Sequence, residues 1–153
     1  MGLGGIGTVG TLICMIIDSK KKAKQIDVVQ RIQSHQLELL YAPDIRISSW
    51  LGNINDGMHN KIVISNLGDN LTILDIKTLS GSNVLNKEGM SNWFPYDFNR
   101  NSEFQIPISV NLNDVSNNSS FGIVCFNKLR SKYLVPIKIV RSMPIVQSPI
   151  LQQ

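Results

Sequence analysis

The chain has 153 residues, of which 15 are Lys or Arg and 11 are Asp or Glu, so its formal net charge is +4. This length predicts one folded domain with appendages. Residues 1–41 carry five basic and three acidic side chains, and residues 42–153 carry ten and eight. Because neither part concentrates positive charge, the composition argues against a protein whose role is specific nucleic-acid binding.

Residues 1–18 predict a membrane anchor. The first 17 residues contain no charged side chain. Asp18 and Ser19 follow, and then Lys20, Lys21, Lys22 and Lys24. Seventeen helical residues span roughly 25 Å, slightly less than the hydrocarbon core of a bilayer. Lysines after an apolar segment predict that the N-terminus lies outside, that the rest of the chain lies on the cytoplasmic side, and that these lysines meet lipid headgroups. The predicted lipid contacts are Leu3, Ile6, Val9, Leu12, Ile13, Met15, Ile16 and Ile17.

Residues 1–18 can also be compared with three other kinds of N-terminal segment: a secretory signal peptide, a myristoylation site and an arm buried in a partner protein. A secretory signal peptide carries its positive charge before the apolar run, whereas here the charge comes after it. Myristoylation requires Ser or Thr at the sixth position, where this chain has Ile6. A Gly-rich apolar arm buried inside a protein partner is the alternative that the sequence leaves open.

Residues 19–42 predict a helical stalk. Ile26, Val29, Leu37 and Leu40 recur near helical spacing, and Gln33 interrupts the stripe that they form. Three arrangements fit this pattern: a continuation of the spanning helix, a short coiled segment that holds the next domain away from the membrane, or a helix packed on its own domain.

Residues 43–141 predict a mainly β domain. Apolar and polar residues alternate in DIRIS, KIVIS, LTILDIKTL and FQIPISVNL, and FGIVCF and KYLVPIKIV follow, with turn-forming stretches between them. Six or seven short strands over about 100 residues are typical of a β-sandwich, of either the immunoglobulin-like or the jelly-roll type. Pro107 and Pro136 lie inside strand-like runs, so we expect them at edges or bulges.

Two further segments contain candidate contacts with a partner. Trp93, Phe94 and Tyr96 lie in a predicted loop, where they either fill the core or anchor a partner. Residues 142–153 predict an extended tail, because Pro144 and Pro149 punctuate an apolar stretch. We expect this tail either to dock along a neighbouring subunit or to form a disordered end. Its candidate contacts are Ile145, Ile150 and Leu151.

No catalytic, metal or cofactor site is predicted. The two histidines, His35 and His59, belong to no motif with ligand or catalytic spacing. Two cysteines, Cys14 and Cys125, are too few and too far apart for a disulfide framework or a thiolate metal site, and we expect both to be buried thiols. An enzyme is therefore the least favoured class of function.

Four stretches together resemble a class of small bacterial and phage membrane proteins with one N-terminal span, a short coil and an immunoglobulin-like sandwich. They are APDIRIS, KIVISNLGDNLTILDIK, FPYDFNRNSEFQIPI and FGIVCFNKLRSKYLVPIKI. The resemblance extends over most of residues 20–141 and implies an architecture without an activity. The short, Gly-rich span at the extreme N-terminus departs from the usual anchor of that class.

These observations predict a non-enzymatic, membrane-anchored structural protein of a larger oligomeric assembly. The favoured setting is a virion with an internal membrane, in which a minor capsid protein links the bilayer to the shell. The expected partners are the lipid bilayer and other structural subunits. The alternative is a cellular inner-membrane protein whose cytoplasmic sandwich acts as a protein-interaction module.

Overall fold

The computed structural model describes residues 3–51 and 60–153, with side chains from Asp18 onward. The chain divides into two compact units, Met1–Leu40 and Tyr41–Gln153. The first unit is helical and the second is built from β-strands, so the protein is mainly β with one long helix.

The helix α1 runs without interruption through Leu3–Leu40. The predicted anchor and the predicted stalk therefore share one helical backbone. The helix ends at Leu40 because Pro43 follows closely, and a proline disfavours helical conformation in the residue before it. The side chains of the predicted anchor, Leu3, Ile6, Val9, Leu12, Ile13, Met15, Ile16 and Ile17, lie outside the described residues. Among the residues that the structure describes, no helix combines the length and the apolar character needed to cross a membrane.

In the described part of the second unit there are nine strands, and the pairings between them are antiparallel. A three-stranded sheet has the order β1-β2-β5, and a six-stranded sheet has the order β4-β3-β6-β7, with β8 and β9 both paired to the outer edge of β7. The strands are β1 (Ile45–Leu51), β2 (Lys61–Asn66), β3 (Leu71–Ser80), β4 (Tyr96–Phe98), β5 (Glu103–Pro107), β6 (Ser120–Phe126), β7 (Lys132–Val140), β8 (Met143–Val146) and β9 (Ile150–Gln152).

A single apolar core lies between the two sheets. The alternation seen in the sequence decides which residues enter it, because successive side chains of a strand point to opposite faces. The three-stranded sheet contributes Ile62, Ile64, Phe104 and Ile106, and the six-stranded sheet contributes Ile73, Ile76, Phe98, Phe121, Ile123, Cys125, Val135, Ile137 and Ile139. All of these side chains are buried.

The tail at residues 142–153 is extended as predicted, but it belongs to the sandwich. Its strands β8 and β9 pair with β7 of the same chain, so the tail is an ordered part of the sheet and not a disordered end, while docking on a neighbouring subunit stays a prediction. Val146 pairs with Ile137, and Ile150 pairs with Leu134. Between these pairs the tail has three residues, 147–149, whereas β7 has two, 135 and 136. This bulge lies opposite Pro136, which has no N–H to donate and whose carbonyl accepts from the Gln147 N–H (2.8 Å).

The predicted prolines behave as expected. Pro136 lies at the bulge of the tail, and Pro107 ends β5, an edge strand of the three-stranded sheet. The six predicted strand runs all contain strands, namely β1, β2, β3, β5, β6 and β7. The strand β4 was missed, because its three residues lie in the predicted loop and are too few to show alternation.

The sandwich has two open sides, where the edges of the two sheets face each other. On one side β4 lies beside β5, and the ring of Tyr96 contacts that of Phe104. On the other side β1 lies beside β8. Each open side contains one of the depressions described below.

Candidate functional site

Five aromatic side chains close the open side between β4 and β5, and we call them the aromatic cluster. Phe104 lies at its centre, with its ring centroid 4.8 Å from that of Tyr96 and 5.7 Å from that of Trp93. Phe94 and Phe98 complete the cluster, each with its ring centroid 6.2 Å from that of Phe104. The Trp93 and Phe104 rings meet edge to face at 87°, one of the arrangements that aromatic pairs prefer.

Burial of the side chains decreases across the aromatic cluster from the core to the surface. Phe98 and Phe104 are buried, Phe94 and Tyr96 are half-buried against the core, and Trp93 remains 42% exposed. The predicted partner contacts Trp93, Phe94 and Tyr96 are therefore brought together, but they serve different purposes. Phe94 and Tyr96 seal the core, whereas Trp93 presents an aromatic surface to the outside.

A pocket of about 340 Å³ opens at this cluster, and we call it the aromatic pocket. It is lined by Trp93, Tyr96, Glu103, Phe104 and Gln105. The sequence pattern predicted the first two residues and missed the three from β5. Alternation in FQIPI marks Phe104 as inward-facing, but only the turn that joins β4 to β5 brings it beside Trp93.

The polar groups of the aromatic pocket come from β5. The Lys61 ammonium donates to Oε1 of Gln105 (3.2 Å). Glu103 is exposed, and among the described residues its carboxylate has no ion-pair partner. The polar lining therefore consists of the neutral Gln105 amide, which accepts a hydrogen bond from Lys61, and the Glu103 carboxylate, which is accessible to a ligand.

The opposite open side contains a groove of about 480 Å³ between the start of β1 and the tail. Residues 43–47 form one wall, and residues 144–149 with Val135 form the other. Asp44 and Arg46 meet across a 3.4 Å contact in this groove, and both are exposed enough for water to screen the pair. The groove is thus bounded by two strand edges and carries no unbalanced charge.

The predicted tail contacts point outward. Ile145, Ile150 and Leu151 lie opposite Lys138, Leu134 and Tyr133 of β7, respectively, and each is 40–49% exposed. Ile150, Leu134 and Val124 form a row across β9, β7 and β6, because they occupy paired positions. The structure therefore places these tail residues at the surface, without showing a partner on them.

The helix has two contrasting faces along Lys24–Leu40. At 100° per residue its charged side chains fall within about 60° of one another, and its aliphatic side chains occupy about half of the circumference on the other side. The charged residues are Lys24, Asp27, Arg31 and Glu38, and Asp27 pairs with Arg31 at 3.0 Å. The aliphatic residues, all 46–70% exposed, are Ile26, Val28, Val29, Ile32, Leu37, Leu39 and Leu40.

The lysines before this segment surround the helix. Lys20, Lys21 and Lys22 are consecutive and exposed, so they project about 100° apart, and Lys24 projects near Lys20. These four residues, the predicted headgroup contacts, thus form a positive collar that begins two residues after Asp18.

The remaining reactive side chains that the structure describes do not converge on one site. Cys125 is buried, as predicted, and this burial raises the pKa of its thiol to about 12, so it stays protonated and unreactive at neutral pH. Cys14 and His59 lie outside the residues whose side chains are described, and His35 is exposed on the helix. Within the described ranges, no three side chains of His, Cys, Asp or Glu come together as a metal-binding group.

No known protein family, curated protein or solved structure matches this chain.

Proposed function

We propose that the protein is a non-enzymatic structural subunit of a larger assembly, in which the N-terminal helix is both a tether and an association element and the sandwich meets other subunits. The aliphatic face of the helix carries this proposal. Seven half-exposed aliphatic side chains on one helix leave a large apolar surface in water, and such surfaces mark sites of association.

The spacing of this face fits other copies of the same helix. In a heptad frame, a and d take Ile26, Val29, Gln33, Gln36 and Leu40, and e and g take Gln25, Gln30, Ile32, Leu37 and Leu39. The charged residues fall only at b and f, which face away from the partners in a coiled coil. Apolar or amide side chains at a, d, e and g provide more surface than one partner helix covers. A bundle of three or more helices therefore fits better than a dimer.

The tether is proposed to be a membrane anchor. The continuous helical backbone from Leu3 and the lysine collar support this role, because an uncharged helical segment with lysines near its C-terminal end matches the order of groups across a bilayer leaflet. The favoured setting is a capsid-to-membrane link in a membrane-containing virion, with the N-terminus outside and the sandwich on the cytoplasmic side. A cellular membrane complex is the alternative.

We infer that the sandwich is of the immunoglobulin-like type. In that fold the first, second and fifth strands share one sheet, and the third, sixth and seventh share the other. The strands β1, β2 and β5 and the strands β3, β6 and β7 follow this division. The strand β4 lies beside β3, and β8 and β9 extend the second sheet beyond its seventh strand.

The association role is tested by the mass of the full-length protein in detergent, measured by analytical ultracentrifugation. We expect a trimer or larger oligomer. Val29→Glu, which places a charge in the aliphatic face, should shift the protein to monomer. Ser34→Glu adds the same charge at position b and should leave the oligomer intact. A monomeric wild type, or equal behaviour of the two variants, contradicts the proposal.

The anchor is tested by membrane fractionation of the full chain. Ile13→Lys should move the protein from the membrane to the aqueous fraction, while Ser19→Lys, which adds the same charge within the lysine collar, should not. Wild-type protein in the aqueous fraction would favour the arm buried in a protein partner. In the natural source, release with membrane-containing particles supports the virion setting, and recovery only with free membrane supports the cellular one.

A further inference from the structure

We propose that the aromatic pocket binds the side chain of an arginine presented by a partner protein. This inference is independent of the helix and of the membrane, because it concerns only the open side between β4 and β5. It assigns the sandwich a binding site with a defined ligand chemistry, a guanidinium cation.

The aromatic walls supply the first part of the argument. Trp93 is 42% exposed, and its ring stands nearly perpendicular to that of Phe104, so the two rings form a corner with Tyr96 beside it. Electron-rich faces of Trp and Tyr attract cations, and a flat guanidinium stacks on them with little loss of hydration. A corner of rings that opens to solvent therefore offers a better surface for a planar cation than for an anion.

The charge of the lining supplies the second part. Glu103 and Gln105 flank Phe104 on β5, and the Lys61 ammonium already occupies Oε1 of Gln105. Glu103 has no ion-pair partner among the described residues, which leaves one carboxylate to balance one incoming cation. The lysine stands on the Gln105 side, so the favourable position for a positive charge lies at the Glu103 side.

The volume of the aromatic pocket and the N–H donors of the ligand decide which cation fits. About 340 Å³ holds a long side chain but not a helix or a strand. A guanidinium stacks on the rings and at the same time donates two parallel hydrogen bonds to a carboxylate. A quaternary ammonium has no N–H to give to Glu103, and a lysine ammonium lacks the flat surface. Arginine therefore satisfies both the aromatic and the acidic parts of the lining.

The test uses full-length protein in detergent and a capped Gly-Arg-Gly peptide, followed through the indole N–H resonance of Trp93. Trp93→Phe assigns that resonance, because Trp50 is the other tryptophan. We expect saturable shifts with a dissociation constant on the order of 1 mM or tighter. The same peptide with citrulline, the neutral isostere of arginine, should give no saturable shift.

Two variants locate the site. Glu103→Gln should weaken binding about fivefold, the ratio that a favourable exposed ion pair supplies. Asp114→Asn removes an equal charge from a residue that does not line the pocket, and it should bind as wild type does. Trp93→Leu should abolish binding while leaving the fold intact by circular dichroism, since Trp93 is 42% exposed and is not one of the residues packed against the core.

Three results would overturn the assignment. The first is the absence of any shift with the arginine peptide. The second is equal shifts with the arginine and citrulline peptides, which would show that the charge is irrelevant. The third is choline chloride binding as tightly as the arginine peptide, which would identify the site as one for quaternary ammonium groups such as lipid headgroups.

Discussion

The side-chain amide of Asn66 donates a hydrogen bond to the carbonyl oxygen of Phe98 (2.9 Å), and both residues are fully buried. Asn66 ends β2 in one sheet, and Phe98 ends β4 in the other. The same nitrogen donates to the carbonyl of Asp69 (2.9 Å), while Oδ1 accepts from the N–H of Gly68 (3.0 Å). One asparagine therefore ties the two sheets together beside the aromatic cluster.

Asn66→Asp should destabilise the protein by about 3 kcal/mol or more, because it replaces a buried double donor with an oxygen that faces two carbonyl oxygens. Asn70→Asp is the matched control. The Asn70 side chain accepts from the Arg100 N–H (2.8 Å) through Oδ1, and an aspartate retains that acceptor. Chemical denaturation of both variants measures the difference. Equal stability of the two would contradict the role assigned to Asn66.

Gly81→Ala should cost about 2–4 kcal/mol. Gly81 has a φ of +70°, which disfavours any side chain, and an added Cβ would lie 2.7 Å from Cα of Ser119. Because that contact involves backbone, the strand β6 would have to move. Gly89→Ala meets nothing closer than 3.6 Å and should change the free energy of unfolding by less than about 0.5 kcal/mol. Thermal unfolding of the pair gives the comparison, and similar melting temperatures would argue against this backbone geometry.

Cys125 should make stability fall with rising pH in the alkaline range. Burial raises the pKa of its thiol to about 12, whereas an unfolded cysteine titrates near 8.5. The native state thus holds its proton where the unfolded chain has lost it. The contribution is complete below about pH 8.5 and disappears as the pH rises towards 12, at up to about 1.4 kcal/mol per pH unit.

The difference in unfolding free energy between wild type and Cys125→Ala, measured from pH 8 to 11, isolates this contribution, since other titrating groups are common to both proteins. A difference that does not change with pH would contradict the assignment. In the same experiments, iodoacetamide at pH 8 should leave Cys125 unmodified in the native protein and modify it in denaturant.

The alternation of the sequence was sufficient to locate six of the nine described strands but not to pair them. Runs such as Ile62–Ile64 and Ile137–Ile139 have the period of a half-buried strand, and the core follows them. The tail was misjudged because Pro144 and Pro149 interrupt its alternation. Only the pairing with β7 reveals that Pro144 is buried and that the chain bulges around the second proline.

The aromatic pocket was half predicted for a related reason. Trp93, Phe94 and Tyr96 stand out in the sequence because they are adjacent. Glu103 and Phe104 line the pocket because the turn between β4 and β5 brings β5 beside Tyr96. A glutamate and a phenylalanine in the sequence do not by themselves predict that contact. The aliphatic face of the helix was predicted as a stripe, and the restriction of charged side chains to the opposite face depends on one helix including the whole segment.

Substitutions at two neighbouring tail residues test whether the tail is a strand of the sandwich or docks elsewhere. Val146 pairs with Ile137 and packs against the core, whereas Ile145 projects outward and is 40% exposed. Val146→Asp should therefore lower the unfolding free energy by about 2–3 kcal/mol, and Ile145→Asp should change it by less than about 0.5 kcal/mol. Denaturation of the full chain measures both values. The Gln147 amide, which donates to Pro136, should also exchange with deuterium much faster in Val146→Asp than in wild type. Equal effects of the two substitutions would mean that the tail does not pair with β7 in solution.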